Sequence, residues 1–365
     1  MFNQATINFC NQLAIRLPII QAPMAGGMIT PFLIKEVTKH GGLGSLPLGY
    51  LSVDEAQKAI RKTASMTSTQ FAANIFLSAP PNNPSQKQVK KMLDCINEYR
   101  AGLGLPVCSE LSAWIEPDID ELVEMIISEG VTILSFTFGM LSNRIMKMLQ
   151  QKSVFVIGTA TTVEEGLVLE ASGCHAVVAQ GYEAGGHRGG DFLEEHSGGL
   201  IGTMAIVPQM VDALRIPVIA SGGIMDGRGI CAALALGASA VQLGTAFLTC
   251  DESGASPMHK RMILENPENS TTITSVFTGK PARGFKNEFV TTLEKNFRND
   301  ELLAYPLQHQ LTKELRSVAN QSGCLECVGL WSGQGARLSR AISVASLMEE
   351  LEKETGFAIS NLFKV

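Results

Sequence analysis

The chain has 365 residues, 45% of them hydrophobic and 18% charged, an ordinary globular balance with ample length for a large core. Lys and Arg number 29 against 35 Asp and Glu, for a net charge of −6, and no basic cluster forms, which argues against a nucleic-acid partner. Thirty-five glycines point to many tight loops and away from a helical bundle.

In chain order, the apolar run 19–23 reads as a buried strand and ends in Ala-Pro-Met-Ala-Gly-Gly. Thr30 N-caps the helix that follows, Pro31 occupies its first turn and Gly41 stops it. Residues 43–48 make a second strand, and Ser52 with Glu55 predicts a capping box. A third strand, 70–77, carries Asn74 near its end. The Pro- and Asn-rich run 79–84 breaks the chain, and the segment to about 130 is longer than one crossover helix needs. It predicts two helices and an excursion around 103–114. Strands four to six are expected at 131–138, 154–159 and 175–180, with a second capping box at Thr162 and Glu165. A helix at 201–214 leads to strand seven at 217–220; Asp226 then caps a helix that Gly237 ends, and strand eight runs 240–247.

Eight short apolar strands alternating with helices over about 250 residues predict an α/β fold, a (β/α)8 TIM barrel. A doubly wound sheet is the alternative, disfavoured because no G-x-G-x-x-G follows the first strand. After Asp251 the sequence turns more polar; a smaller cap domain inserted after strand 8 is expected over 251–330, with the barrel at 1–250 and the C-terminal segment 331–365 returning to the barrel wall through an amphipathic helix at 336–352.

Eight scattered cysteines are read as reduced, and the single CxxC, Cys324 and Cys327, has no second ligand pair for zinc, so no metal site is expected. Arg16 interrupts the one apolar stretch near the start that could serve as a signal peptide. The uncharged run 229–250 is long enough to span a bilayer, but its glycines, Ser239, Gln242 and Thr245 suit a helix followed by a strand. A cytoplasmic protein without a membrane partner is the expectation.

In such a barrel, function gathers where the strands end. Those ends carry Ala22, Pro23 and Met24, then Asn74, then the glycine-rich run from Gln180 through Gly185, Gly186 and His187, then Ser221, Gly222 and Gly223, and finally Gln242, Gly244 and Thr245. Glycines after strands seven and eight expose backbone amides of the kind that bind phosphate. Asn74 and Gln180 are polar groups at the ends of apolar strands, and a flat heteroaromatic ring would satisfy them. A phosphate with such a ring fits FMN, and it fits a sugar phosphate or a purine nucleotide as well.

The segments Gln21–Met24, Ala179–Gly189, Leu200–Gln209, Pro217–Arg228 and Val241–Phe247, together with Tyr305-Pro306, Thr312 and Leu330–Arg337, resemble the nitronate monooxygenases, formerly 2-nitropropane dioxygenases, of the class I bacterial type. The likeness spans nearly the whole chain. The two glycine motifs are less specific, since flavin-dependent enoyl-ACP reductases carry similar ones. Ser332, where the family often has alanine, and the stretch 191–197 with Glu194, Glu195 and His196 depart from the pattern; the latter bears on substrate access.

The resemblance implies non-covalent FMN and oxidation of alkyl nitronates by O2 to a carbonyl compound and nitrite. It assigns FMN binding to Asn74, Gln180, Gly185, Gly222, Gln242, Gly244 and Thr245, and the catalytic role to His187. Tyr305, Trp331 and Lys280 are candidates for the cap side of the substrate pocket, with plain packing as the other reading. An NAD(P)H-dependent flavin reductase of the same fold, similar to enoyl-ACP or quinone reductases, is the alternative function.

Overall fold

A computed structural model describes residues 2–77, 83–112, 118–190, 192–193 and 200–362. Part of the breaker at 79–84, Trp114, and Asp191 with Glu194, Glu195 and His196 lie outside the described residues.

Eight parallel strands form the barrel: β1 (Ile19–Gln21), β2 (Ser45–Pro47), β3 (Ala72–Phe76), β4 (Ile133–Thr137), β5 (Phe155–Ala160), β6 (Ala176–Gln180), β8 (Val218–Ser221) and β9 (Ala240–Leu243). Their order is β1-β9-β8-β6-β5-β4-β3-β2. Backbone hydrogen bonds between Ile19 and Leu43 and between Gln21 and Leu43, each 2.9 Å, bring the two ends of that row together. The three remaining strands, β7 (Gly186–His187), β10 (Thr271–Thr274) and β11 (Ala282–Phe285), make a small antiparallel sheet in the order β10-β11-β7.

The twofold alternation of strand side chains sorts the residues. Ala73, Leu134, Val156, Val177, Ala220 and Val241 point outward into the main core against the helices. Their neighbours Ile20, Ala72, Ile133, Ile157, Ala176, Val178, Ile219 and Ala240 point inward and form a separate apolar cluster. An N-terminal helix, Gln4–Gln12, closes that end: Phe9 and Leu13 join the cluster and are fully buried. Two residues farther along the same strands, the inward layer turns polar, with Asn74, Ser135, Thr159, Gln180, Ser221 and Gln242. The barrel is therefore apolar and filled at its floor and polar at its mouth.

The caps form as the residue types dictate. Thr30 accepts from the Leu33 N–H at 3.0 Å, the two capping boxes are made, and Asp226 accepts from the amides of Arg228 and Gly229. Strand eight of the sequence reading is shorter than expected: it stops at Leu243, and Gly244 turns the chain into a short helix, Thr245–Leu248. The last helix also differs. Residues 336–338 form a single 3-10 turn, and the helix proper, Val344–Leu362, starts where Ser343 Oγ accepts from the Ser346 N–H at 3.1 Å. It lies against helices Gly227–Ala235 and Pro31–Lys39 on the barrel wall.

A second hydrophobic cluster sits over the mouth. It joins Phe277, Phe289, Leu293, Leu303, Leu315 and Val328 to Met92, Leu93 and Ile96 of helix Gln86–Gly102. That helix belongs in sequence to the crossover between β3 and β4, yet its apolar face packs with residues 248–336. Among the described residues no helix is long and apolar enough to cross a membrane, and no group of three or more metal-ligating side chains forms.

Candidate active site

A cavity of about 420 Å³ occupies the polar mouth of the barrel beneath the second cluster. It lies within the usual range for a small-molecule or cofactor site. Every predicted cofactor residue lines it: Ala22, Pro23 and Met24 after β1; Asn74 on β3; Gln180, Gly185 and Gly186 between β6 and β7; Ser221, Gly222 and Gly223 after β8; Gln242, Gly244 and Thr245 at the end of β9. His187 and Trp331 line it as well. Lys280 and Tyr305 do not: they stand one layer back, the Lys280 ammonium 4.9 Å from the Phe138 ring centre and the Tyr305 ring 5.8 Å from it.

Asn74 is almost wholly buried; its Nδ2 donates to Ser135 Oγ at 2.9 Å, and its Oδ1 has no partner among the described residues. A buried acceptor left unmade costs on the order of 1–3 kcal/mol, so Asn74 keeps capacity for a donor that the described residues do not supply.

Gln180 acts within the protein. Its Nε2 donates to the His187 carbonyl at 3.0 Å and its Oε1 accepts from the Gly189 N–H at 2.7 Å, so one amide holds the loop that carries His187. Behind the loop, the Glu183 carboxylate accepts from the Thr203 N–H and hydroxyl, and Thr203 Oγ1 lies 2.9 Å from the Gly222 carbonyl. Gly222 has φ +122°, and a Cβ on it would come within 2.8 Å of Thr203 Oγ1, so only glycine suits this turn. Gly244 differs: a Cβ there would make only ordinary contacts with Met24 and Ala22, at 3.5 and 3.6 Å.

The segment after Trp331 returns to the mouth. The Gly333 N–H donates to Thr245 Oγ1 at 2.9 Å and the Gln334 N–H to the Glu183 carbonyl at 3.0 Å. Gly333 and Gly335 both line the cavity.

His187 is held at its backbone and at one ring nitrogen. In β7 it pairs with Ala282 of β11, and its Nε2 lies 2.9 Å from Thr278 Oγ1. The rings of Phe138, Trp331 and Tyr305 stand 5.6, 5.5 and 6.4 Å from it. Burial first, and then the cations of Lys280 and Arg316, push its imidazole down to about 3, so it is neutral at ordinary pH. His309, stacked on Tyr50 at 4.5 Å, is likewise pushed down to about 3, by burial and then by Arg316, His187 and Lys313.

Several cavity residues carry no motif. Ser135, Thr137 and Thr159 follow from strand alternation once the register of β4 and β5 is known. Phe138 follows β4 directly, at φ +76°, an uncommon conformation for a bulky side chain. Tyr50, His259 and Arg316 also line the cavity, and only the fold brings them there.

A (β/α)8 barrel with its one polar layer, its paired glycine turns and a neutral histidine at the strand C-terminal ends defines a barrel enzyme. The nitronate monooxygenase family model matches residues 9–354. A probable nitronate monooxygenase of Staphylococcus saprophyticus is 42% identical over 346 residues, 94% of this chain and 95% of that one. Among solved structures, nitroalkane oxidase from Streptomyces ansochromogenes superposes with a TM-score of 0.88 at 36% identity, covering 97% of this chain and 99% of that one. FabK from Thermotoga maritima superposes with a TM-score of 0.75 at 29% identity, covering 97% of each chain. The chain belongs to the nitronate monooxygenase family of flavin-dependent oxidoreductases.

Proposed function

We propose that this protein uses FMN to oxidise alkyl nitronates with O2 to a carbonyl compound and nitrite, and that His187 is its catalytic base and anion stabiliser. The observation that carries the reading is a neutral imidazole on the cavity wall, across a barrel mouth whose Asn74 Oδ1 awaits a donor.

The residues present fit FMN. Asn74 would accept from the ring edge, and Gln180 keeps one amide hydrogen beyond its bond to His187. Gly222, Gly223, Gly244 and Thr245 would hold the phosphate through backbone N–H groups, with Ala22, Pro23, Met24, Gly185, Gly186, Ser221 and Gln242 completing the walls. Bound there, FMN would supply the electron transfer between nitronate and dioxygen.

The protein's own part is orientation, exclusion of water and proton control. When the substrate arrives as a neutral nitroalkane, His187 takes its α-proton: the C–H bond breaks, the proton moves to the imidazole, and the electron pair passes onto the nitro oxygens. The free imidazole, held near 3, is a weak base; the nitronate charge forming beside it raises its proton affinity, and the imidazolium so formed faces that charge in a site walled by Phe138 and Trp331. The second cluster, over 248–336 with helix Gln86–Gly102, serves as the cap, and Trp331 is its contribution to the substrate pocket. Lys280 and Tyr305 would act through Phe138 and His187. All eight cysteines are free thiols, in keeping with a cytoplasmic setting.

The test is oxygen uptake and nitrite release with ethylnitronate, run beside anaerobic mixing with NADPH. Nitrite with oxygen consumption is expected. Rapid flavin bleaching by NADPH without nitronate turnover would instead make the protein a flavin reductase.

A further inference from the structure

We propose that Thr278 is a positioning residue that fixes the tautomer of His187, so that Nε2 carries the proton and Nδ1 is the atom that receives the substrate proton. The proposal rests on His187 being the base of the reading above; its structural half stands without it.

The argument is a count of hydrogens. A threonine hydroxyl has one proton to give and two lone pairs to fill. Thr278 Oγ1 has three neighbours: the Lys280 carbonyl at 3.1 Å, the Lys280 N–H at 3.3 Å and His187 Nε2 at 2.9 Å. A carbonyl can only accept, so it takes the hydroxyl proton. A backbone N–H can only donate, so it fills one lone pair. The imidazole nitrogen is the one partner free to do either, and the remaining lone pair requires it to donate. His187 is therefore protonated on Nε2. Its Nδ1 makes no hydrogen bond among the described residues, on a ring that lines the cavity.

Thr278 is held rigidly enough for this task. It is 1% exposed, in a turn closed by the Gly279 N–H on the Ser275 carbonyl at 2.7 Å. Gly279 has φ +79°, and a Cβ there would stand 2.3 Å from the Leu303 carbonyl oxygen, so the turn has no room to shift. Helix Leu307–Ser322 clamps it from behind. Gln308 Nε2 donates to the Val276 carbonyl at 2.7 Å, and the Thr312 hydroxyl donates to that of Phe277 at 2.5 Å; both side chains are fully buried. A second-sphere partner of this kind sets which ring nitrogen is basic. With the opposite tautomer the ring would offer the cavity an N–H and could not take a proton.

The experiment is nitrogen NMR on histidine-labelled holoprotein, with His187 assigned among the six histidines by its loss in His187→Asn. A neutral ring with a protonated Nε2 and a bare Nδ1 is expected; a protonated Nδ1 would overturn the proposal. Thr278→Val keeps shape and removes the hydroxyl, and Thr278→Ser restores it. Thr278→Val should lose the single tautomer and lower kcat on neutral nitroethane about tenfold or more, with KM little changed and a smaller loss on ethylnitronate. Thr278→Ser should recover both signal and rate. An unchanged spectrum and rate in Thr278→Val would defeat the proposal. The spectrum needs no substrate: the stated tautomer together with absence of nitronate turnover would sink the reaction assigned above and leave the structural claim standing.

Discussion

The side-chain amide of Gln180 donates to the backbone carbonyl of His187 at 3.0 Å, while the other end of the same amide receives the N–H of Gly189. The last residue of β6 thus ties down the loop it launches. Gln180→Leu should leave the barrel folded but free the loop, and a reacting group displaced by as little as an ångström can cost up to about a hundredfold in rate. A fall of roughly tenfold or more in kcat with ethylnitronate is expected, at an unchanged circular dichroism spectrum. Full activity would show that β7 pairing alone holds His187.

His187→Asn separates base from anion stabiliser. Turnover of neutral nitroethane should drop roughly a hundredfold or more, the usual scale for removal of a general base. Preformed ethylnitronate should lose less, since its α-proton is already gone and it needs no base. Equal losses in oxygen uptake on the two substrates would favour anion stabilisation as the whole role.

The phosphate site is best tested at Gly244. Gly222 is a poor probe, because its φ of +122° and the 2.8 Å approach to Thr203 Oγ1 would strain any replacement. Gly244 has ordinary space, so Gly244→Asp should fold and place a carboxylate where the phosphate is expected. Loss of flavin from a protein of near-normal melting temperature is the expected result, and full flavin content would move the phosphate elsewhere.

Acid should weaken the fold through its histidines. His187 and His309 are held near 3 when folded and titrate near 6.5 when unfolded. Between those values the unfolded chain binds protons that the folded chain refuses, so stability is full above about pH 6.5 and falls as the pH drops through that window. His309→Phe keeps a ring against Tyr50 and removes one of the two sites. Its urea midpoint should decline less between pH 7 and pH 5 than that of the parent protein; parallel declines would mean that His309 is not held neutral.

The mouth of the barrel was readable because two local rules coincide there. Apolar runs mark the strands, and the residue types at their ends, Asn74, Gln180 and the glycine pairs, are ones that strands elsewhere avoid. Gly222 and Gly223, with φ +122° and +69°, announce themselves, since other residues seldom adopt that backbone. Ser135 and Thr159 were hidden by register: a one-residue slip turns each outward. Thr278, Arg316 and Tyr50 come from distant segments and meet only through tertiary packing, which no local spacing encodes. The N-terminal helix carries no such local signal, because Phe9 and Leu13 are the only large apolar anchors it sends into the floor of the barrel.

That floor sets the traffic through the enzyme. With Phe9 and Leu13 stoppering the barrel beneath the polar layer, the described residues close the site at its floor and leave it to open at the strand C-terminal mouth. In the proposed reaction the nitronate and dioxygen descend by the same route along which the carbonyl product and nitrite must leave. Departing anion and incoming anion then compete for one passage. A high concentration of nitrite should therefore slow turnover by occupying the shaft, in competition with the nitronate and without touching the chemistry at its base.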